Sequence, residues 1–396
     1  MQQLKKMSNK NLPDFSDTKL AFRHLSDGNL RRGRFLFELL SRPWLVAIGS
    51  VFAKLALFIH FPIGWAIRPT VYAQFCGGED VDESEETIAM LYESGVMTIL
   101  DYSAEGVDFE SDLDITCSEV LKTVTAAKND PRHAFAVFKP SGLSSNSLLM
   151  KNKKDFSAND CEAWARVERR VRSICSATAE AGGRVLIDAE ESWIQDNIDE
   201  LAEDMMSDFN RETAVVFTTA QLYRHDRLDY IKKLAVRSKE AGFIAGVKLV
   251  RGAYMEKERE RAKEKGYHSP IHLEKISTDR DFDAAINFCL NNLDKMHLFC
   301  GSHNEGSNMI LCRQMAEMGL SNDDKRITFS QLLGMSDPIT FNLAAYGYNV
   351  AKYVPYGPIR EAMPYLIRRA KENTSVAGQT SRELTLIRAE IARRKS

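Results

Sequence analysis

Ile244-Ala245-Gly246-Val247-Lys248-Leu249-Val250-Arg251-Gly252-Ala253-Tyr254 decides the fold. Its first seven residues are a short apolar run, and the run ends in a polar turn. Directly upstream, Leu228–Ala241 carries apolar residues at helical spacing. The same pairing of short run and amphipathic stretch recurs along the chain from about Ser84. The other short runs are Val96–Tyr102, Ala134–Phe138, Arg184–Ile187, Thr213–Thr218, Met296–Phe299, Arg326–Phe329 and Asn349–Val354. Among the helical stretches, Asp160–Ala181 aligns Trp164, Val167, Val171, Ile174, Cys175 and Ala179. Strand, helix, strand at this regularity predicts a parallel sheet with crossover helices. Eight such units over roughly three hundred residues match a distorted (β/α)8 barrel of the α/β class. A doubly wound open sheet is the competitor, and no GxGxxG follows the first run to support it.

Chemistry in such a barrel sits at the carboxyl ends of the strands. Here every predicted end is polar or aromatic. The first gives Asp101-Tyr102-Ser103-Ala104-Glu105 and the second runs into Lys139. The third gives Asp188-Ala189-Glu190, and the fourth leads to Gln221 and Tyr223. After the fifth, quoted above, come Ser302-His303-Asn304, then Gln331-Leu332 with Gly334, then Tyr353, Pro355, Tyr356 and Gly357. Near the C-terminus, Tyr365, Arg368, Arg369 and Glu372 fall on one side of a predicted helix. Two adjacent guanidinium groups suit a small carboxylate, because each offers a planar fork of donors.

Composition bounds the rest. With 396 residues, 44% hydrophobic and 27% charged, the chain can bury a large core. A formal net charge of -2 and the lack of a basic, aromatic-laced stripe argue against nucleic acid as a partner. Seven scattered cysteines without a CxxC pair favour reduced thiols, and no metal-ligand spacing appears. Met1 to Asp17 mixes lysines with acids and lacks the look of a transit peptide. These features predict a cytoplasmic protein, or one peripheral on the inner face of a membrane, the matrix side if mitochondrial. The apolar segment Trp44–Trp65 contains Lys54, His60, Pro62 and Gly64, which fits an interfacial helix better than a span. The expected organisation is an α-helical arm over 1–83, a catalytic barrel over 84–375 and a helical tail over 376–396. Within the arm, helices are predicted at Leu20–His24, Gly28–Leu40 and Leu45–His60.

Six motifs in order carry a family likeness: LeuAspTyrSer around Asp101, IleAspAlaGlu at 187–190, LysLeuValArgGlyAlaTyr at 248–254, SerHisAsn at 302–304, LeuLeuGlyMet at 332–335, and TyrLeuIleArgArg with GluAsn at 365–373. On these the chain resembles the proline dehydrogenase family, in its monofunctional, FAD-dependent form. The resemblance implies oxidation of L-proline to Δ1-pyrroline-5-carboxylate by hydride transfer to FAD, with a quinone as electron acceptor. It implies that Arg368, Arg369 and Lys139 hold the substrate carboxylate. By the same resemblance Tyr254, Leu332, Tyr353 and Tyr365 are expected to wall the ring, and Glu105 to orient or gate the first arginine. Asp188 and Lys248 lie at the reacting centre. FAD is expected on Ile187, Gln221, Lys248, Arg251, Gly252, Ala253, Lys275, Thr278, Ser302, His303, Asn304 and Glu372.

Lys248 departs from an arginine common in the family, keeping the charge and losing the planar fork. Met255 departs from a tryptophan that some members stack on the adenine. In the family it resembles, a tyrosine at the position of Tyr353 goes with proline and a serine there with hydroxyproline, so the resemblance implies a preference for proline. Two other readings compete: a Schiff-base barrel aldolase using Lys139 or Lys248, and a membrane-bound helical adaptor led by the N-terminal segment.

Overall fold

The computed structural model describes residues 12–59, 61, 64–102, 109–375 and 379–396, with the side chains of 54, 56, 57, 372–375 and 379–381 left aside. Glu105 lies outside the described residues, as does the Glu372 side chain. Eight parallel strands form one sheet in the order β1-β8-β7-β6-β5-β4-β3-β2. They are β1 Met97–Tyr102, β2 Ala136–Phe138, β3 Val185–Ile187, β4 Val216–Gln221, β5 Ala245–Val250, β6 Met296–Gly301, β7 Ile327–Leu332 and β8 Val350–Tyr356. First strand against last, with the others in sequence, is the (β/α)8 pattern. β1 and β2 stand at the two ends of the order, which is the distortion.

Two strand ends fall later than their apolar runs suggest. β4 continues to Gln221 and β7 to Leu332, so Gln221 and Leu332 are strand residues and not loop residues. Polar residues inside these strands hide the continuation. Thr219, Gln221, Ser330 and Gln331 are all buried. Thr219 Oγ1 donates to the Ile187 carbonyl, and Gln331 Oε1 accepts from Thr340 Oγ1. Paired polar groups are tolerated in a core at little cost.

By contact density the chain divides into two compact units. Residues 104–330 hold β2 to β6 and most of β7. Their core includes Phe135, whose ring meets Phe217 and Phe299 edge-on at 5.2 and 5.1 Å. The long helix Ala158–Glu180 starts where Ser157 and Asp160 cap each other reciprocally, side chain to backbone N–H.

Residues 13–103 and 331–396 form the second unit. Here the arm helices Thr18–Ala21, Asp27–Leu40 and Pro43–Phe58 are joined by a short helix, Gly64–Ile67. A π-helical turn at Arg68–Tyr72 follows, unforeseen in sequence. Pro69 brings no N–H to that turn, while Thr70 Oγ1 donates to the Ala66 carbonyl. One core cluster packs Leu36, Leu40, Tyr72 and Phe75 from the arm against Met335, Met363, Tyr365 and Leu366. Each such side chain contributes about 1.5–3 kcal/mol by leaving water. The helix Ile359–Ser375, which carries the arginine pair, is thus held by the arm.

Candidate active site

In the first unit, strand register sets the chemistry. Lys248 on β5 lies beside Thr219 of β4 and Phe299 of β6. Asp188 follows Ile187, whose neighbour on β4 is Thr218. One residue further along, Asp188 meets Lys248, and Nζ donates to Oδ1 at 2.6 Å. Both side chains are largely withdrawn from water, at 7% and 16% exposed. Removing either partner would strand the other, at a cost of about 3–5 kcal/mol. The two form a buried Asp–Lys pair that ties the end of β3 to β5.

Arg251, one residue past β5, is held on three sides. Nε donates to Asp279 Oδ1 at 2.8 Å, Nη1 to Ser302 Oγ at 3.0 Å and Nη2 to Ser307 Oγ at 3.0 Å. Its guanidinium carbon also sits 4.4 Å from the Phe282 ring centre. Lys275 reaches the other oxygen of Asp279. Burial alone would raise the Asp279 carboxyl, but the two cations outweigh it and hold it below its usual value. Asn304 Oδ1 accepts from the Ser307 N–H and caps the helix Glu305–Glu317. A fixed guanidinium, an exposed ammonium and a helix N-terminus together suit a diphosphate.

Gln221 Nε2 donates to the Glu190 carbonyl at 2.6 Å, and Oε1 accepts from the Ala253 N–H at 3.2 Å. The amide ties the ends of three strands. Gly252 has φ 133°, and a Cβ there would lie 2.5 Å from the Tyr223 ring. The position is closed to other residues by an aromatic side chain of the protein itself. Thr278 is buried on the helix Lys275–Leu290, and Tyr254 is half-buried just ahead of Met255–Lys265. Ile187 closes β3 and Ser302 follows β6, with His303 half-buried next to it. The donor set at these strand ends fits a flavin dinucleotide: cations and N-terminal amides for the diphosphate, Lys248 for an electron-rich ring edge.

Glu190 is a residue that sequence reasoning passed over, although it ends a quoted motif. It is 4% exposed. Its carboxylate accepts from the Ser141 N–H at 2.8 Å and from Ser141 Oγ at 2.5 Å. Burial pushes its carboxyl up to about 7, against the pull of Ser141 and Lys139. Ser141 belongs to the 3-10 turn Pro140–Gly142 that begins directly after half-buried Lys139. Glu190 thus fixes the backbone from which Lys139 projects.

In the second unit, Tyr365, Arg368 and Arg369 share a helix face as predicted. Arg369 is 8% exposed and its guanidinium carbon lies 5.3 Å from the centre of the Tyr365 ring. Arg368 is half-buried, so neither arginine is turned out to bulk water. Pro364, inside this helix, brings no N–H for the Arg360 carbonyl. Leu332 and Tyr353 are brought together by backbone: the Leu333 N–H donates to the Tyr353 carbonyl at 2.8 Å. Tyr353 is buried and Leu332 half-buried.

The fold and these side chains define an α/β-barrel oxidoreductase. The chain belongs to the proline dehydrogenase family, whose model matches residues 84–382. It is 32% identical over 323 residues to the carbapenem antibiotics biosynthesis protein CarD of Pectobacterium carotovorum subsp. carotovorum, covering 81% of this chain and 83% of that one. It is 39% identical over 232 residues to the mitochondrial proline dehydrogenase 1 of Homo sapiens, covering 58% of this chain but 39% of the human protein. The hydroxyproline dehydrogenase of Xenopus laevis is 29% identical over 423 residues, covering 96% of this chain and 90% of that one. Among solved structures, proline utilization A from Bdellovibrio bacteriovorus, inactivated by N-propargylglycine, superposes with a TM-score of 0.71 at 18% identity. That match covers 97% of this chain and 42% of the other, and it establishes the fold. Family membership removes the aldolase and adaptor readings.

Proposed function

We propose that this chain oxidises L-proline with bound FAD and delivers the electrons to a membrane quinone. The observation that carries the reading is the half-buried and buried pair Arg368 and Arg369 rising beside Tyr365 on one helix face. Paired guanidinium groups bind a carboxylate through parallel charge-assisted bonds. Tyr353, Tyr365 and Leu332 pack the ring and exclude water from it. With the carboxylate anchored and the ring walled, the ring carbon next to nitrogen has one orientation, and orientation is most of what the protein supplies.

FAD supplies the acceptor for the electron pair and hydrogen taken from that carbon. Arg251, Lys275 and the start of Glu305–Glu317, with Ser302, His303 and Asn304, hold its diphosphate and ribose region. Ile187, Gln221, Gly252, Ala253 and Thr278 complete the cradle. Lys248, fixed by Asp188, places positive charge at the ring edge where negative charge develops. The large Tyr353 side chain leaves less room for a ring hydroxyl, which favours proline over hydroxyproline.

The quinone implies a bilayer. No single helix among the described residues is long and apolar enough to cross one. The helix Pro43–Phe58 instead presents Trp44, Ile48, Val51, Phe52, Leu55 and Phe58 at helical spacing to solvent, with Phe58 81% and nearby Trp65 78% exposed. Exposed Arg31, Arg32 and Arg42 lie on or beside the neighbouring helix. An aromatic stripe flanked by basic residues suits a shallow seat in an anionic membrane surface. The test is the visible spectrum of the purified protein before and after anaerobic proline. The reading requires an oxidised-flavin band that bleaches, and a colourless protein, or one that proline leaves oxidised, contradicts it.

A further inference from the structure

The Leu332–Asp337 segment is pinned from four directions, all within the second unit. Lys352 is fully buried on β8. Its ammonium donates to the Leu332 carbonyl at 3.1 Å, to the Met335 carbonyl at 2.5 Å and to Asp337 Oδ1 at 2.8 Å. From the C-terminal helix Gln379–Lys395, buried Glu383 accepts from the Ser336 N–H at 2.9 Å and the Asp337 N–H at 3.4 Å. From the arm, Gln74 Nε2 donates to the Gly334 carbonyl at 3.1 Å. His24, stacked on Phe341 at 3.8 Å, brings Nε2 to 3.9 Å from Asp337 Oδ2.

The backbone of the segment needs such restraint. Ser336 sits at φ 55°, a left-handed conformation that a non-glycine residue keeps only where its surroundings over-determine it. Gly334, at φ 70°, lies so close to the arm that a Cβ would stand 2.0 Å from the Gln74 carbonyl oxygen. Lys352 is also the residue before Tyr353. One ammonium therefore grips the carbonyl of Leu332 while its own backbone continues into Tyr353, and the Leu333 N–H bonds the Tyr353 carbonyl.

We infer that Glu383 and Lys352 are positioning residues for proline oxidation: through the Leu332–Asp337 segment they set the spacing of Leu332 and Tyr353, so the C-terminal helix and the arm tune the substrate cage without touching substrate. This rests on the function proposed above. Burial, and after it the nearby Asp337, pushes the Glu383 carboxyl up to about 7, in keeping with a group enclosed by the fold. At Asp337 burial acts in the same direction, but Lys352 and His24 outweigh it and hold its carboxyl low.

The experiment measures the flavin-loaded full chain as Glu383→Gln, Glu383→Ala and Lys352→Met. It reads KM and kcat for proline, and hydrogen exchange in the peptide around 332–337. Misplacing a binding group by an ångström can cost as much as about 100-fold. Glu383→Ala is expected to raise KM about tenfold with kcat changed less than about twofold, and to speed exchange in that peptide; Glu383→Gln, which keeps one acceptor, falls between. Lys352→Met leaves Asp337 without its cation and is the variant at risk of misfolding, which is why the Glu383 pair decides. A loaded Glu383→Ala enzyme with wild-type KM overturns the inference, even if its Tm drops, because the role is then structural only. If the wild-type chain fails to oxidise proline, the proposed function has failed, and exchange still judges the clamp: unaltered exchange around 332–337 in Glu383→Ala overturns it.

Discussion

The two compact units solve opposite problems. Residues 104–330 present their chemistry on short strands whose ends are cross-tied by side chains: Lys248 to Asp188, Gln221 to Glu190 and Ala253, Arg251 to Asp279, Ser302 and Ser307. These ties hold the strand ends to one another and to the helices that follow, as a rigid cradle for a large polar cofactor requires. Residues 13–103 and 331–396 carry their chemistry on one helix and one strand end. There the restraint comes from outside the sheet, from the arm cluster behind Tyr365 and the buried charges around Asp337. In the proposed reading, cofactor binding falls to the strand ends of the first unit and substrate geometry to the helix and strand end of the second.

That contrast can be broken by mutation. The largest effect is expected from Arg369→Ala, with Arg368→Ala close behind. Losing a half of a carboxylate fork costs about 2–5 kcal/mol, so KM for proline should rise roughly 30- to 5000-fold while flavin content stays at the wild-type level. Arg251→Ala should do the reverse. Its three bonds to Asp279, Ser302 and Ser307 also organise the diphosphate end, so FAD should dissociate about 10- to 100-fold more readily, read by fluorescence of released flavin. Flavin loss in the Arg369 variant, or retention in the Arg251 variant, would erase the division of labour.

A smaller change is expected from Tyr353→Ser, which opens space beside Leu332. The ratio of kcat/KM for hydroxyproline over proline should rise about tenfold, the usual worth of one pocket contact. An unchanged ratio would remove Tyr353 from the cage.

The smallest effect concerns Glu190. Its carboxyl is raised from the ordinary 4.5 to about 7 in the folded chain, chiefly by burial. A group that binds its proton more tightly when folded adds stability that is complete below pH 4.5 and is lost as pH climbs through 7. Replacing it by glutamine removes that slope. The Tm advantage of wild type over Glu190→Gln should therefore shrink by roughly 3–6 °C between pH 5 and pH 8. A constant difference would mean that the carboxyl titrates normally.

Much of the barrel was legible because apolar runs alternate with helical periods. β1, β5, β6 and β8 lie within two residues of their predicted runs, and the helix Ala158–Glu180 within two. β4 and β7 run on past their apolar residues, since buried Thr219, Gln221, Ser330 and Gln331 look like loop in a linear reading. The helix face of Tyr365, Arg368 and Arg369 was legible from spacing alone. Glu190, Lys352 and Glu383 were not. Ser141 and Glu190 are 49 residues apart, and Ser336 and Glu383 are 47 apart. Local pattern carries no record of such pairings. A charged residue in a sequence usually means solvent, and only the fold reveals that these three are enclosed.

The most direct test of the division between cradle and cage compares wild type with Arg369→Ala, flavin content and anaerobic bleaching by proline being recorded on the same samples. Equal yellow colour in both, with bleaching at low proline in wild type and only at far higher proline in the variant, is the predicted result. Equal bleaching curves, or a variant that has lost its flavin, would contradict it.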